Sequence, residues 1–214
     1  MNDSKIEEIR DIYNEIKPEI ESRISEFKEI WEKGDQRVFE EMVFCLFTPQ
    51  SKAKVCWDTV KKLKEKELLL EADESRISDE IKRVRFRNNK AGYLVEARNR
   101  FVENDGSIKE KISGFENQKN AREWIVDNVK GLGYKEASHF LRNIGKGEHL
   151  AILDRHILRN LEELEVIDEI PKTLTKKRYL EIESKMKGFA DDLGIPLGHL
   201  DLVLWYKETG EVFK

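Results

Sequence analysis

The architecture of this chain can be derived from one segment, residues 129–156, which reads Val-Lys-Gly-Leu-Gly-Tyr-Lys-Glu-Ala-Ser-His-Phe-Leu-Arg-Asn-Ile-Gly-Lys-Gly-Glu-His-Leu-Ala-Ile-Leu-Asp-Arg-His. Gly131 and Gly133 are expected to end one helix and open the next, because glycine readily adopts the backbone conformation found just past a helix. Lys135 falls in the first turn of the second helix. Asp154 follows a short apolar run and precedes a third helix. The segment therefore predicts two helices joined by a tight turn, with an amine and a carboxylate nearby.

The rest of the chain shows the same helical period. Apolar residues recur every three or four positions in most segments, and no segment alternates apolar and polar residues as a strand does. We therefore expect an all-α fold, built as a single domain of 214 residues with two helical lobes and a cleft between them. The loop that contains Gly106 and Gly114 is predicted to separate a lobe at 35–110 from a lobe formed by 1–34 plus 115–214.

Several residues mark predicted helix boundaries. Pro18 lies inside the first apolar pattern and is expected to kink that helix or to start a second one. Asp35 and Ser51 are candidate N-caps, because a short side chain with an oxygen atom binds the free N–H groups of a helix start. Asn88-Asn89 predicts a turn. Asp154 is the predicted N-cap of the helix that runs through Leu164.

The composition limits the classes of function. The net charge is −4, so a nucleic-acid interface has to be a local basic face rather than a property of the whole protein. The two cysteines favour a reducing, intracellular location and are too few for an iron–sulfur cluster held by four cysteines of this chain. The N-terminus is acidic rather than a signal sequence, and no apolar run is long enough to span a membrane. The wealth of Lys, Arg and Glu leans towards a heat-adapted source.

The turn Lys130-Gly-Leu-Gly133 has the features of a phosphate-binding element. Backbone N–H groups at a helix N-terminus attract anions, and Gly131 and Gly133 would let a phosphate approach closely. Such a contact positions nucleic acid without reading its sequence. The alternative is an ordinary joint between helices with a glycine cap, since a motif this short is weak alone.

Lys135 and Asp154 are the candidate catalytic pair. An amine becomes nucleophilic when it is desolvated or lies near other positive charge, and the first turn of a helix is such a place. It could attack C1′ of a sugar, expel the base and leave a Schiff base from which the 3′ phosphate is eliminated. Asp154 could remove a proton from Lys135 or stabilise an oxocarbenium-like transition state, besides capping its helix. The alternative for Lys135 is a solvated side chain.

A cluster of basic residues lies at the end of a short helix predicted at 75–87. We interpret it as a patch that tracks phosphates, although a run of charge is more often a solvated helix face. None of the four histidines has a spacing to cysteine or carboxylate that is typical of zinc ligands, so no metal site made of side chains is expected. The patch consists of Arg83, Arg85, Arg87 and Lys90.

These motifs together carry a resemblance to a known family. The runs at 130–145 and 152–158 resemble the helix-hairpin-helix DNA glycosylase superfamily with its downstream aspartate. The runs at 47–53 and 84–90, and the final Val-Phe-Lys, narrow the resemblance to the archaeal-type 8-oxoguanine DNA glycosylase/AP lyases. It extends over nearly the whole chain.

The resemblance implies a role for individual residues. Lys135 matches the lysine that forms the Schiff base, and Asp154 matches the activating aspartate. Gln50 matches a polar residue that fills the gap left by a flipped base. Lys214 matches a terminal lysine whose carboxylate reads the oxidised purine. That role is physically sensible, because 8-oxoguanine has an N7–H donor where guanine has an acceptor.

Aromatic side chains and main-chain oxygens complete the predicted site. Phe86 and Trp205 are candidates to stack on the flipped base, because every base has a π-face; core packing is the alternative for both. The resemblance also implies that main-chain carbonyls of the hairpin, at about Asp127, Val129 and Leu132, hold a monovalent cation. No cofactor is otherwise required.

The expected function is a bifunctional DNA repair enzyme that flips out and excises 8-oxoguanine by attack of a lysine on C1′, then cleaves the abasic strand by β-elimination. Its partner would be damaged double-stranded DNA, with no membrane association, and it would act as a monomer in the cytoplasm of a prokaryote, at the nucleoid. Two alternatives stay open: a non-catalytic helix-hairpin-helix DNA-binding protein, and a glycosylase for another damaged base.

Overall fold

Helices are the only regular elements in the part of the chain that the structure describes, residues 3–104 and 106–213 of a computed structural model, so the all-α prediction is confirmed. A π-helical segment at Asn99–Asn104 extends the sixth of them. The α-helices are α1 (Asp3–Glu32), α2 (Asp35–Phe47), α3 (Ala53–Glu65), α4 (Leu68–Glu71), α5 (Glu74–Glu80), α6 (Arg87–Arg98), α7 (Ile108–Ser113), α8 (Gln118–Asn128), α9 (Tyr134–Asn143), α10 (Arg155–Glu163), α11 (Lys176–Leu193) and α12 (Leu197–Thr209).

The first helix, α1, continues through Pro18, so the predicted start of a second helix there is wrong. Pro18 lies on the exposed face of α1, whereas Ile16 and Ile20 on the opposite face are buried. A proline inside a helix costs about 3 kcal/mol through a lost hydrogen bond and a steric clash. Burial of the apolar face along a helix of 30 residues outweighs that cost.

Asp35 does not cap α2, contrary to the prediction. The N-cap is Gly34, and Asp35 is the first residue of the helix. The Asp35 carboxylate turns instead to α7, where it accepts hydrogen bonds from Ser107 Oγ at 2.7 Å and from Lys109 N at 3.0 Å. It therefore joins the start of α2 to the start of α7.

Two other predicted helix boundaries are wrong: the N-cap at Ser51 and the turn at Asn88-Asn89. The N-cap of α3 is Lys52, while Ser51 Oγ accepts a hydrogen bond from Arg85 N at 3.0 Å. Both asparagines lie inside α6, because the chain turns earlier, at Phe86, which has a left-handed φ of 59°. Tertiary contacts rather than local propensity set these two boundaries.

Two apolar cores lie side by side in the fold. The first surrounds α2, whose residues from Val38 to Phe47 are all buried. The second is formed by α10, α11 and α12 together with the N-terminal part of α1. Phe27 of α1 belongs to the first core and Ile9 to the second, so this one helix contributes to both. No helix among the described residues has the length and hydropathy needed to cross a bilayer.

The predicted hairpin is present and is anchored by a buried ion pair. Helices α8 and α9 are joined by the residues 129–133, and Gly133 is the N-cap of α9. Arg122 of α8 donates to both carboxylate oxygens of Glu183 on α11, with Nη2 2.9 Å from Oε1, and both side chains are buried. The hairpin is thereby fixed to the second core.

Candidate active site

The turn between α8 and α9 depends on glycine at one position in particular. Gly131 has a φ of 93°, and a Cβ atom there would lie 2.4 Å from the ring of Tyr93. The Leu132 N–H donates to Val129 O at 3.1 Å and closes the turn. Gly133 needs no such freedom, because its φ is −87° and an added Cβ would meet nothing closer than 3.4 Å.

The start of α9 is open to an anion. Gly133 has no side chain with which to cap the helix, and Gly131, Gly133 and Lys130 are all exposed. The Lys130 ammonium lies 3.6 Å from Glu96 Oε2 and remains largely solvated. Exposed N–H groups at a helix start, with a lysine beside them, form the arrangement that binds phosphate. The structure thus brings the three predicted hairpin residues together at one surface.

Lys135 is the second residue of α9 and points away from bulk solvent. Its side chain is only 20% exposed, in contrast to 63% for Lys130 five residues earlier. Its ammonium lies 3.7 Å from Glu136 Oε1. A partly desolvated amine at a helix N-terminus has the surroundings expected of a nucleophile.

Asp154 caps α10, as predicted. Its Oδ1 accepts hydrogen bonds from the N–H groups of His156 at 2.8 Å and Ile157 at 2.9 Å. Both bonds end on the same oxygen, so Oδ2 takes no part in the cap. The carboxylate is partly exposed and is therefore both fixed in position and accessible.

A buried carboxyl, Asp201 of α12, places Lys135 and Asp154 in one neighbourhood. Burial raises the pKa of Asp201 to about 6; Arg142, bonded to it at 2.9 Å, and Lys135 act to lower that pKa, whereas Asp154 acts to raise it. The charges of both catalytic candidates thus influence the pKa of Asp201. The sequence analysis missed Asp201 and Arg142, although a charged residue inside the apolar run Leu-Asp-Leu-Val-Leu was a signal of a buried polar contact.

Gln50 and Phe86 occupy two turns with unusual backbone geometry. Gln50 has a φ of 56° and Phe86 a φ of 59°, in the left-handed region that residues other than glycine rarely adopt. Both side chains are exposed, and the Phe86 ring is 52% exposed with the Arg85 guanidinium 5.2 Å from its centroid. Both side chains are therefore accessible to a ligand.

Lys90 does not belong to the basic patch, and that part of the prediction is wrong. It is 3% exposed, and its ammonium donates to Phe47 O and Pro49 O, each at 2.7 Å. Burial lowers the pKa of Lys90 to about 8 and raises the pKa of the neighbouring Cys56 thiol to about 11, and the charge of Lys135 is felt by both groups. Arg83, Arg85 and Arg87 remain at the surface, with Arg87 half-buried.

Trp205 and the C-terminal segment lie close to α10 and α3. Trp205 is partly exposed, and its ring meets the His156 ring edge-on with centroids 5.3 Å apart. Val212 is buried and Phe213 packs against the first core, so these two residues dock the tail as expected. Lys214, the predicted reader of the oxidised purine, lies outside the described residues.

The main-chain oxygens of the hairpin already have some partners. Val129 O accepts the Leu132 N–H, and Asn128 O accepts a hydrogen bond from the Arg100 guanidinium at 2.5 Å. A carbonyl oxygen has two lone pairs, so Val129 O keeps the capacity to bind a cation as well. Among residues 3–104 and 106–213, no group of three or more His, Cys, Asp or Glu side chains is arranged to hold a metal ion.

Comparison with known proteins identifies relatives that match nearly the whole chain. A family model described as 8-oxoguanine DNA glycosylase matches residues 20–195. A protein of Fusobacterium nucleatum named 8-oxoguanine DNA glycosylase/AP lyase is 50% identical over 210 residues, which are 97% of this chain and 96% of that protein. A protein of the same name from Methanocaldococcus jannaschii is 43% identical over 212 residues, 98% of each chain.

A solved structure also resembles this fold closely. It is the 8-oxoguanine glycosylase/lyase of Methanocaldococcus jannaschii in complex with a 15mer DNA that contains 8-oxoguanine. The TM-score is 0.89 at 40% sequence identity, over 98% of this chain and 99% of the other. The similarity therefore includes both the helices and their arrangement.

Proposed function

Because the chain belongs to the 8-oxoguanine DNA glycosylase family, we propose that Lys135 and Asp154 carry out base excision and strand cleavage in this protein. The protein is a bifunctional enzyme that excises 8-oxoguanine from DNA and cleaves the abasic strand. The observation that carries the assignment of residues is geometric: a partly buried amine in the first turn of α9, and a carboxylate at the cap of α10 whose Oδ2 takes no part in the cap.

The reaction begins at the Lys135 amine. A bond forms between Nζ and C1′ while the bond from C1′ to the base breaks, and the base leaves with the electron pair and takes up a proton. The nitrogen then loses a proton and forms a double bond to C1′ while the bond from C1′ to O4′ breaks and O4′ takes up a proton, which leaves an imine. The imine acidifies the 2′ position, and loss of a 2′ proton breaks the bond from C3′ to its phosphate oxygen. Asp154 accepts a proton from Lys135 before attack and offers negative charge to the electron-poor sugar.

The DNA backbone is bound by the hairpin and by the basic turn before α6. Lys130, Gly131 and Gly133 present a cation and free N–H groups to one phosphate, and Arg87 offers a second cation on the other side of the cleft. These contacts are local, which explains how a protein with a net charge of −4 binds a polyanion.

The lesion is recognised by residues outside the hairpin. Phe86 and Trp205 stack on the flipped base, Gln50 occupies the gap left in the duplex, and the carboxylate of Lys214 accepts the N7–H of 8-oxoguanine. The exposure of the Phe86 ring and the docking of Val212 beside the tail support this assignment.

The remaining features of the proposal concern the setting of the reaction. The protein acts on damaged double-stranded DNA as a monomer, in the cytoplasm of a prokaryote at the nucleoid. A monovalent cation bound by main-chain oxygens near Asp127, Val129 and Leu132 would strengthen the grip on phosphate. The lobes predicted at 35–110 and at 1–34 plus 115–214 stay a prediction.

Borohydride trapping tests the roles of the catalytic residues. The protein is mixed with a duplex containing 8-oxoguanine and with sodium borohydride, which reduces an imine to a stable covalent bond. The wild-type protein should form a covalent complex, and Lys135→Gln should form none while its excision rate falls at least ~10³-fold. Lys119→Gln, at an exposed position on α8, is the matched control and should trap as the wild type does.

The outcomes separate the alternatives. Trapping that survives Lys135→Gln would assign the nucleophile to another amine. A wild-type protein that binds the duplex but is trapped by no damaged base would instead be a non-catalytic DNA-binding protein. Trapping only with a duplex that contains a different damaged base would mean that the enzyme has another substrate but uses the same reaction.

A further inference from the structure

Lys90 is a buried lysine for which the proposed reaction gives no role. Its ammonium has three N–H donors, and three oxygens surround it: Phe47 O at 2.7 Å, Pro49 O at 2.7 Å and Ser51 Oγ at 3.4 Å. With its donors directed to these oxygens and 3% of the residue exposed, Lys90 is not placed to bind a phosphate or to attack a sugar.

The oxygens that bind Lys90 belong to the last residue of α2 and to the turn that follows it, which carries Gln50. This turn connects α2 to α3 and is closed by the hydrogen bond from Ser51 N to Thr48 O at 2.9 Å. Pro49 and Ser51 flank Gln50 directly, so Lys90 holds the backbone on both sides of the residue assigned to the gap in the duplex.

The same lysine lies in the first turn of the helix that follows Phe86, α6. The Lys90 N–H donates to Phe86 O at 3.1 Å in the first turn of α6. A second connection runs beside it, from Arg85 N to Ser51 Oγ at 3.0 Å. Two left-handed turns that are 36 residues apart in the chain are therefore joined through one side chain and one hydroxyl group.

We propose that Lys90 is a positioning residue for lesion recognition, which fixes the Gln50 turn against the Phe86 turn so that both side chains meet the duplex in one geometry. The inference rests on the proposed function, because it needs Gln50 and Phe86 to contact DNA. Stability alone is a poor explanation, since burying an ammonium costs several kcal/mol and an apolar side chain of similar size would avoid that cost.

Lys90→Met tests the proposal by comparing two reactions of the same protein. The first is single-turnover excision of 8-oxoguanine from a duplex, which requires recognition of the flipped base. The second is β-elimination at a preformed abasic site, which requires Lys135 but has no base to recognise. We expect excision to fall at least about tenfold, because displacement of a binding group by about 1 Å can cost up to ~10²-fold, while β-elimination changes less than about threefold.

The ratio of the two rates separates positioning from other effects. Global destabilisation by Lys90→Met would lower both rates in proportion to the folded fraction and leave their ratio unchanged. An effect of Lys90 on the nearby Lys135 would also lower both rates together. Either result, or a variant whose two rates equal those of the wild type, would overturn the proposal. A wild-type protein with no excision would contradict the proposed function instead.

Two further variants complete the experiment. Lys61→Met is the control: Lys61 is half-exposed on α3 and pairs with Asp58 at 2.8 Å, so both rates should match the wild type. Ser51→Ala removes only the hydroxyl that accepts from Arg85 and Lys90, and it decides the question if Lys90→Met fails to fold. Its ratio of excision to β-elimination should fall about threefold, as expected if the loss of these two hydrogen bonds has a net cost of ~0.7 kcal/mol, and an unchanged ratio would contradict the proposal.

Discussion

The two sides of the proposed DNA-binding site reach similar backbone geometry by different means. On the hairpin side, the left-handed residue is Gly131, and a hydrogen bond between close neighbours in the chain, from Leu132 N to Val129 O, closes the turn. On the opposite side, the left-handed residues are Gln50 and Phe86, and a buried lysine with a serine hydroxyl holds their turns together. One side is determined by its own residue types, and the other by contacts between distant parts of the chain.

This difference in how the turns are held matches the function proposed for each side. In the proposed function the hairpin binds phosphate through backbone groups, so a glycine that brings the backbone close to the ligand is suitable. The other side is proposed to use side chains, Gln50 in the gap and Phe86 on the base, at positions where the backbone has to turn sharply. Glycine would make those turns easily but would bring no side chain. Strain at such positions is typical of functional sites.

The largest effect should come from Asp154→Asn on the catalytic side. Asparagine caps a helix as well as aspartate does, so the free energy of unfolding should change by less than ~0.5 kcal/mol. The variant lacks the carboxylate charge, so single-turnover excision should fall ~10²- to 10⁴-fold. Chemical denaturation and excision rates measured on the same preparation check both statements.

Asp73→Asn is the matched control for that variant. Asp73 caps α5, a helix with no proposed site residue, by accepting a hydrogen bond from Arg76 N at 2.8 Å, so excision should be unaffected. If Asp154→Asn excised 8-oxoguanine at the wild-type rate, Asp154 would be only a helix cap.

The two hairpin glycines should differ in their effect on stability. Gly131→Ala places a Cβ at positive φ and against the Tyr93 ring, so it should lower the free energy of unfolding by about 2–3 kcal/mol. Gly133→Ala has an ordinary φ and faces only the flexible Glu136 side chain, so it should cost less than about 1 kcal/mol. Urea denaturation measures both.

Binding to a duplex with an abasic site provides a second comparison of these two variants. Gly133→Ala should weaken binding although the fold is intact, because its methyl group stands where the phosphate approaches. Equal stability of the two alanine variants would mean that the turn does not depend on the conformation of Gly131.

The smallest effect should appear on the other side, in Gln50→Gly. Glycine relieves the left-handed strain but adds freedom to the unfolded chain, so stability should stay equal or rise by up to about 1 kcal/mol. Excision of 8-oxoguanine should nevertheless fall, because no side chain fills the gap. Glu67→Gly is the control: its φ of 59° gives the same relief at the start of α4, and excision should not change. An equal excision rate in both variants would mean that the Gln50 side chain has no role in excision.

The hairpin side could be predicted from the sequence because its signals are local. The spacing from Gly131 to Gly133, the lysine two residues later and the capping aspartate each have a meaning within a few residues. The structure accordingly places Lys135 in the first turn of α9 and Asp154 at the cap of α10. The all-α class followed from the helical period in the same way.

The other side could not be predicted because its signals are tertiary. The sequence pattern placed Lys90 in an exposed basic patch, whereas it lies buried against a turn some 40 residues earlier. The pattern also placed a turn at Asn88-Asn89 instead of at Phe86, because no local rule puts phenylalanine in a left-handed conformation. Asp201 escaped notice for a related reason, since its partner Arg142 lies on another helix.

The unbroken first helix has a mechanical consequence. At about 1.5 Å per residue, its 30 residues correspond to ~45 Å of helix. One part of this helix is embedded in each core, through Phe27 and Ile9, and Ile24 packs against both. A movement of one core relative to the other would have to bend the helix, so we expect the protein to keep its shape. Bending a DNA duplex costs only a few kcal/mol, so we expect the DNA rather than the protein to deform on binding.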